Sequence, residues 1–123
     1  MPKTTTANKV TLNTLIINGI QEKKGKGITT LDLSKIHEAM SDYFIICEGS
    51  STTQVQAIAD SIEFEVFQAT QQNPFHVEGK TNAQWILLDY ADTVVHVFLK
   101  GYREHYSLEE LWNDADRADV ADL

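Results

Sequence analysis

Cysteine is nearly absent from this sequence, and basic residues are scarce. The 123-residue chain has one cysteine, Cys47, which excludes an internal disulfide and a cysteine-rich metal site. A single cysteine in an apolar run is typical of a reducing compartment. Lysine and arginine total 10 against 18 acidic residues, for a net charge of -8. This charge argues against sequence-specific or non-specific nucleic-acid binding, which needs a basic surface.

Long hydrophobic runs are also missing. No segment approaches the ~20 apolar residues that span a bilayer, and the first ten residues hold no apolar stretch of signal-peptide length. We therefore expect a soluble, cytoplasmic protein with no direct membrane contact. The length and the 42% hydrophobic content predict one domain with its own core.

The apolar spacing predicts a single-domain α/β fold, a mixed sheet of about five strands with two main helices. We expect residues 1–10 to be a flexible arm, residues 11–113 to be the domain, and the acidic tail at 114–123 to be disordered. Predicted helices cover about 11–24 and 51–70, with short helical segments after residue 101. Predicted strands cover 28–33, 43–47, 75–78 and a hairpin at 84–99. The strand–helix–strand unit at 43–78 should cross over right-handedly.

Two capping boxes are predicted from Ser or Thr followed three residues later by Glu or Gln. Ser51 with Gln54 would begin the second main helix, and Ser107 with Glu110 would begin a helix near the C-terminus.

The hairpin at 84–99 has two faces of different chemistry, because side chains alternate along a strand. With Ala91 and Asp92 as the loop residues, Trp85 lies opposite Phe98 and Leu87 lies opposite His96. One face is aliphatic and suits a core: Ile86, Leu88, Val95, Val97 and Leu99. The other, here called the mixed face, carries Trp85, Leu87, Asp89, Val94, His96 and Phe98. Aromatic anchors beside charges are typical of a recognition surface; a second buried face is an equally supported alternative.

Two kinds of chemistry could use the mixed face. Asp89 and His96 are diagonal neighbours and could orient a general base, but no Ser, Thr or Cys shares their face, which favours a structural or interface pair. Metal-ligand residue types also gather near it, yet their spacing matches no metal signature. These residues are His76, Glu78, Asp89, Asp92 and His96. We predict no catalytic residue, no metal and no cofactor.

Gly49-Ser50, between a strand and a helix, is similar to the start of a nucleotidyltransferase site, where phosphate approaches a helix N-terminus. That chemistry needs two or three carboxylates to hold Mg²⁺. The expected Asp-x-Asp is missing, because Asp60 is followed by Ser61 and Ile62. An ordinary strand-to-helix turn is the favoured interpretation.

The order of segments resembles the ribosomal silencing factor family, RsfS, also called the Iojap family. Its motifs include SDYFIICEGSS at 41–51, WILLDYAD at 85–92 and LEELW at 108–112. Shorter matches lie at 32–34, 54–60, 77–79, 95–98 and 103–106. The likeness covers about residues 11–113, in the right order and spacing.

The resemblance implies a nucleotidyltransferase-like fold without the catalytic carboxylates, and a protein that is not an enzyme. Family members bind the large ribosomal subunit through its fourteenth protein (L-fourteen), block joining of the two subunits and repress translation when nutrients are short. Organellar relatives act in assembly of the large subunit, and homodimers are common in the family.

The resemblance also implies which residues meet the partner. The tryptophan of the family's contact surface falls on Trp85, and the acidic turn falls on Asp89, Tyr90 and Asp92. His96 and Glu78 occupy matching motif positions nearby. Ala91 stands where many members have glycine.

Two other hypotheses remain open at this point. One is a nucleotidyltransferase-like enzyme, which would need a carboxylate cluster near Gly49-Ser50. The other is a self-associating module whose mixed face is only a dimer interface.

Overall fold

The computed structural model describes residues 5–122, with the side chains of residues 5–11 left out of the description. Four helices and six strands lie in this part of the chain. The helices are α1 (Thr5–Glu22), α2 (Thr52–Thr70), α3 (Tyr102–Tyr106) and α4 (Leu108–Leu111). The strands are β1 (Lys26–Asp32), β2 (Tyr43–Gly49), β3 (His76–Glu78), β4 (Trp85–Asp89), β5 (Thr93–Leu99) and β6 (Asp116–Asp119).

The strands form one mixed sheet in the order β3-β4-β5-β2-β1-β6. The central pair, β2 and β5, is parallel, and the other pairs are antiparallel. The predicted α/β class is therefore confirmed, with a sixth strand added. β2 and β3 run in the same direction, but β5 and β4 lie between them.

The helix side of the sheet holds the larger core. α1 and α2 cover it, and the aliphatic face of the hairpin packs beneath them, as predicted. Close helix packing depends on Gly19, where an added Cβ would lie 2.8 Å from the Cα of Ile62. In α2, every fully buried apolar side chain belongs to one stripe at helical spacing: Val55, Ile58, Ala59, Ile62 and Val66.

A smaller core covers part of the other face of the sheet. Leu31, Ile46 and Phe98 supply its sheet side, and Leu108 of α4 and Leu33 close over them. Trp85 and Trp112 pack at its border. The helix side of the sheet therefore carries the larger cover, although β6 stays exposed, and the opposite side is covered only by the smaller core.

Both predicted chain ends need correction. α1 begins at Thr5, so the predicted arm is wrong for residues 5–10, and residues 1–4 lie outside the described residues. Once a helix is nucleated, each further turn is inexpensive even without an apolar stripe. The tail prediction is wrong for residues 116–119, which form β6 against β1.

The acidic composition of residues 114–123 predicted disorder, and the pairing of β6 explains why this prediction failed for residues 116–119. Its four residues are all exposed, so it shows no apolar alternation, and its backbone hydrogen bonds to β1 hold it instead. Leu123 lies outside the described residues. Within residues 5–122, no helix is both long and apolar enough to cross a membrane.

Candidate functional site

The hairpin forms in the predicted register. Trp85 pairs with Phe98, Leu87 with His96, and Asp89 with Val94. Ala91 sits in the turn with a φ of 72°, a left-handed conformation that glycine adopts more readily. The Asp89 carboxylate accepts a hydrogen bond from the Ala91 N–H at 2.7 Å, which holds the turn in place.

The mixed-face side chains of the hairpin differ in burial between its two strands. On β5, Val94, His96 and Phe98 are buried. On β4, the mixed-face side chains are all partly exposed, alternating with buried ones. The core interpretation is thus right for β5, whereas β4 leaves side chains available for contact.

His96 is tied to Trp85 and not to Asp89. The indole Nε1–H of Trp85 donates to Nδ1 of His96 at 3.0 Å. Asp89 and His96 are diagonal neighbours across the hairpin, as predicted, but the imidazole bonds to the tryptophan, because an indole N–H can only donate and needs an acceptor. No general base is assembled from these two residues.

His96 is a neutral, buried imidazole. It is 3% exposed, and burial lowers its pKa from 6.5 to about 3. Since Nδ1 accepts from Trp85, the proton of the neutral ring resides on Nε2. That nitrogen has no hydrogen-bond partner among the described residues.

Tyr106 of α3 is a site residue that the sequence reasoning did not single out. The centroid of its ring lies 4.5 Å from that of Trp85. Trp85 in turn stacks on Phe98, with a centroid distance of 5.2 Å. Tyr106 is 43% exposed, so it extends the aromatic surface towards solvent. Tyr106 lies in the segment 103–106, which carries part of the family likeness. That likeness is the sequence signal that could have identified it.

The edge strand β3 extends the exposed part of the mixed face. Glu78 pairs with Leu87, and His76 pairs with Asp89, and paired residues in a sheet point to the same side. The exposed side chains of His76 and Glu78 are in hydrogen-bond contact. We call the exposed part of β3 and β4 the open half-sheet: His76, Glu78, Trp85, Leu87 and Asp89.

Tyr90 and Asp92 lie apart from the open half-sheet. Tyr90 is 2% exposed and belongs to the helix-side core, where burial and the nearby Glu63 raise its pKa. Asp92 is exposed at the turn. The structure therefore brings Trp85, Asp89 and Glu78 together on one surface, with Asp92 at its end and Tyr90 beneath it.

A shallow groove adjoins the open half-sheet. It has a volume of about 350 Å³. Its lining is mainly apolar, with acids at Glu38 and Asp89. The apolar and aromatic lining residues are Leu33, Ala39, Met40, Phe44, Leu87, Val94, His96 and Trp112. Met40 is 100% exposed. The sequence reasoning missed this groove, because half of it comes from the 33–41 connection.

Arg103 fixes α3 to the far end of the sheet. Its side chain is 12% exposed and contacts Glu109 at 2.6 Å. It also donates to Thr29 Oγ1 at 2.8 Å and to the Gly27 carbonyl. The α3 segment that carries Tyr106 is therefore held by a charge-assisted network.

Side chains of the protein make hydrogen bonds at the N-terminus of α2. Ser51 accepts from the Gln54 backbone N–H at 3.1 Å, as the predicted capping box requires. The Gln54 side-chain oxygen takes the N–H and hydroxyl of Ser50 at 2.7 and 2.9 Å. Three donors at this turn, the N–H and hydroxyl of Ser50 and the N–H of Gln54, are thus engaged within the protein.

The second predicted capping box does not form. Ser107 adopts a left-handed φ of 49° and makes no side-chain cap, because its hydroxyl donates back to the Glu104 carbonyl. Among the described residues, no group of three His, Cys, Asp or Glu side chains is placed to hold a metal ion.

Comparisons with known proteins agree with this architecture. The family model described as "Ribosomal silencing factor during starvation" matches residues 5–123. The chain is 43% identical to the ribosomal silencing factor RsfS of Bacillus subtilis, over 80% of this chain and 82% of that protein. It is 39% identical to that of Halalkalibacterium halodurans, over 86% of this chain and 89% of that protein.

Solved structures and organellar proteins extend the likeness. A crystal structure of a Chromobacterium violaceum protein is similar, with a TM-score of 0.79, 32% identity and coverage of 90% of this chain and 91% of that one. A mouse protein named "Mitochondrial assembly of ribosomal large subunit protein 1" is 32% identical over 58% of this chain, which matches 32% of that protein. With one family model matching nearly all of its length and relatives covering most of it, this chain belongs to the ribosomal silencing factor (RsfS) family.

Proposed function

We propose that this protein binds the large ribosomal subunit through L-fourteen, blocks joining of the small subunit and so represses translation under nutrient limitation. Membership of the RsfS family supports this function. The structural observation that carries it is the open half-sheet, an aromatic and acidic surface on the face of the sheet opposite the larger core.

The chemistry of this surface favours a basic protein partner. Trp85 and Leu87 offer partly exposed apolar area, and Glu78, Asp89 and Asp92 surround it with negative charge. Acidic rims steer a basic partner and fix its orientation, whereas a central aromatic supplies most of the binding energy. Tyr90 would act from beneath by supporting the turn, and His96 by holding Trp85.

The mechanism is occupancy of a joining surface and requires no catalysis. A bound protein of this size excludes the small subunit from the area that it covers. The protein would act in the cytoplasm, where ribosomes are assembled and used. In isolation, a homodimer is proposed, in which a second copy could cover the same aromatic surface.

Sedimentation of purified large subunits with and without small subunits tests the proposal. The wild-type protein should move with large subunits and lower the yield of joined ribosomes. Trp85→Ala should weaken binding by at least roughly thirtyfold, the effect of losing a central aromatic anchor. Asp89→Lys should also weaken it. Glu22→Lys, at the end of α1, is the matched control and should bind as the wild type does.

Large-subunit assembly is the alternative function, favoured by the name of the mouse relative. Under this alternative, depletion of the protein would cause precursors of the large subunit to accumulate during growth. Under silencing, subunit levels would stay normal, and repression of translation on starvation would be lost.

A nucleotidyltransferase-like activity is less well supported, because the expected Asp-x-Asp is missing and Gln54 already engages the N–H and hydroxyl of Ser50. Binding of Mg²⁺–nucleotide in calorimetry, abolished by a change of Asp60, would revive it.

A further inference from the structure

We infer that the groove beside the open half-sheet receives one apolar side chain of a basic protein segment, and that this segment accepts a hydrogen bond from Nε2–H of His96. The inference rests on the proposed function for the identity of the partner. It adds the chemistry that the partner must bring to the surface.

The groove has the size and lining for a side chain. At about 350 Å³, it lies at the small end of the ~300–1,000 Å³ typical of ligand pockets. Its wall includes Phe44 and Trp112, whose ring centroids lie 6.2 Å apart in an edge-to-face arrangement. Leu87 and Met40 line it from the open half-sheet and from the 33–41 connection. An inserted apolar side chain would be covered on several sides.

His96 supplies the second, independent observation. It lines the groove and is 3% exposed. Because Nδ1 accepts from Trp85, Nε2 carries the proton, and it has no acceptor among the described residues. A buried donor without an acceptor costs free energy, so an acceptor brought by a partner gains more than it would at an exposed site.

The acceptor must come from the partner's own chain. Nε2 is buried in the free protein, so a side chain of the groove must shift slightly on binding. A backbone carbonyl or a hydroxyl next to the inserted side chain fits this position. A carboxylate fits poorly, because Asp89 and Glu38 already make the groove negative.

Charge identifies the occupant as a basic protein segment. The groove is lined by two acids, Glu38 and Asp89, and by no Lys or Arg. Lysine or arginine beside the inserted side chain would pair with these acids. A second copy of this chain, with a net charge of -8, is the less favourable occupant on the same ground.

Two variants test the inference on the full-length protein. Ala39→Trp fills the groove, and Ala57→Trp on the helix side is its matched control. His96→Asn keeps an acceptor for Trp85 through its amide oxygen but places no donor where Nε2 stood. Circular dichroism and thermal midpoints verify folding. Binding is measured with purified large subunits and with isolated L-fourteen, and the mass in solution by sedimentation equilibrium.

The expected result is at least about a tenfold loss of affinity for both probes with Ala39→Trp, as for a blocked hot spot. A loss of roughly three- to tenfold is expected with His96→Asn, as for one neutral hydrogen bond. Ala57→Trp should bind normally. If the wild type binds large subunits and Ala39→Trp binds equally well, the groove inference is wrong and the proposed function stands.

Other outcomes separate the remaining explanations. A wild-type protein that binds neither probe overturns the proposed function itself. If Ala39→Trp only converts a dimer to a monomer, the groove's occupant is a second copy and the inference fails. If binding to whole subunits is lost while binding to L-fourteen is kept, the occupant belongs to another component of the subunit, which also contradicts it.

Discussion

Trp85 donates its indole N–H to Nδ1 of His96 at 3.0 Å, across the two strands of the hairpin. This bond couples a partly exposed aromatic to a buried imidazole. It fixes the Trp85 ring on the open half-sheet and the proton of His96 in the groove at the same time.

Removing the donor should destabilise the fold. Trp85→Phe keeps a ring against Phe98 and Tyr106 but leaves Nδ1 of His96 buried without a partner. We expect a loss of about 1–3 kcal/mol in the free energy of unfolding, measured by urea denaturation. Trp112→Phe, which changes an indole at the border of the same core, is the control and should cost less. An equal cost for both would show that the hydrogen bond contributes nothing.

His96 should make stability fall in mild acid. Its pKa is about 3 in the folded protein, lowered by burial, against about 6.5 in the unfolded chain. Below pH 6.5, His96 binds a proton in the unfolded chain but stays neutral in the folded protein. The free energy of unfolding therefore decreases as the pH falls towards 3. The wild type should lose about 1.4 kcal/mol per pH unit more than His96→Asn between pH 6 and 4. Parallel pH profiles of the two proteins would contradict this.

Arg103 should be among the costliest polar side chains to remove. Arg103→Met leaves the half-buried Glu109 carboxylate and the Gly27 carbonyl without their donor. We expect a loss of roughly 2–4 kcal/mol, towards the range for breaking a buried pair. The control is Arg117→Met, because Arg117 forms an exposed pair with Asp119 that should contribute less than about 1 kcal/mol. Thermal and urea unfolding would measure both.

Deleting β6 should expose a sheet edge. A chain that ends at Ala115 loses the ladder to β1 and the bond from Thr29 Oγ1 to Asp119 at 2.9 Å. We expect a loss of roughly 1–3 kcal/mol and concentration-dependent self-association through the uncovered edge of β1. Light scattering across protein concentrations would reveal it. A monomeric, equally stable truncation would show that β6 is dispensable.

Glycine at position 91 should stabilise the hairpin. Ala91 has a φ of 72°, which costs a residue with a Cβ roughly 1–2 kcal/mol. Ala91→Gly should recover part of this, about 0.5–1 kcal/mol after the added entropy of the unfolded chain. Ala57→Gly in the middle of α2 is the control with the opposite sign and should cost about 1 kcal/mol. A destabilised Ala91→Gly would contradict the strain argument.

Local patterns in the sequence predicted the parts of the fold that depend on neighbours along the chain. The hairpin register and the aliphatic face follow from period-two alternation and a two-residue loop, and both are confirmed. The capping bond of Ser51 follows equally locally. The apolar spacing also predicted the α/β class, which the mixed sheet confirms.

Pairings between distant segments were not predictable from pattern alone. β6 carries no apolar signal, and its place beside β1 depends on backbone bonding across most of the chain. The orientation of the His96 ring depends on which neighbour can only donate, and the spacing of Asp89 and His96 does not contain that information. The groove likewise joins a connection at 33–41 to the sheet and to Trp112.

The parallel pairing of β2 with β5 sets the order of events during synthesis. It joins Tyr43 to Thr93 and Gly49 to Leu99, so the centre of the sheet cannot close until most of the chain has been made. Closing so long a loop is slow, because its entropy is lost before the contacts form. The newly made chain therefore carries a β2 that can pair with β1 but has an open edge on its other side until residues 93–99 have been made.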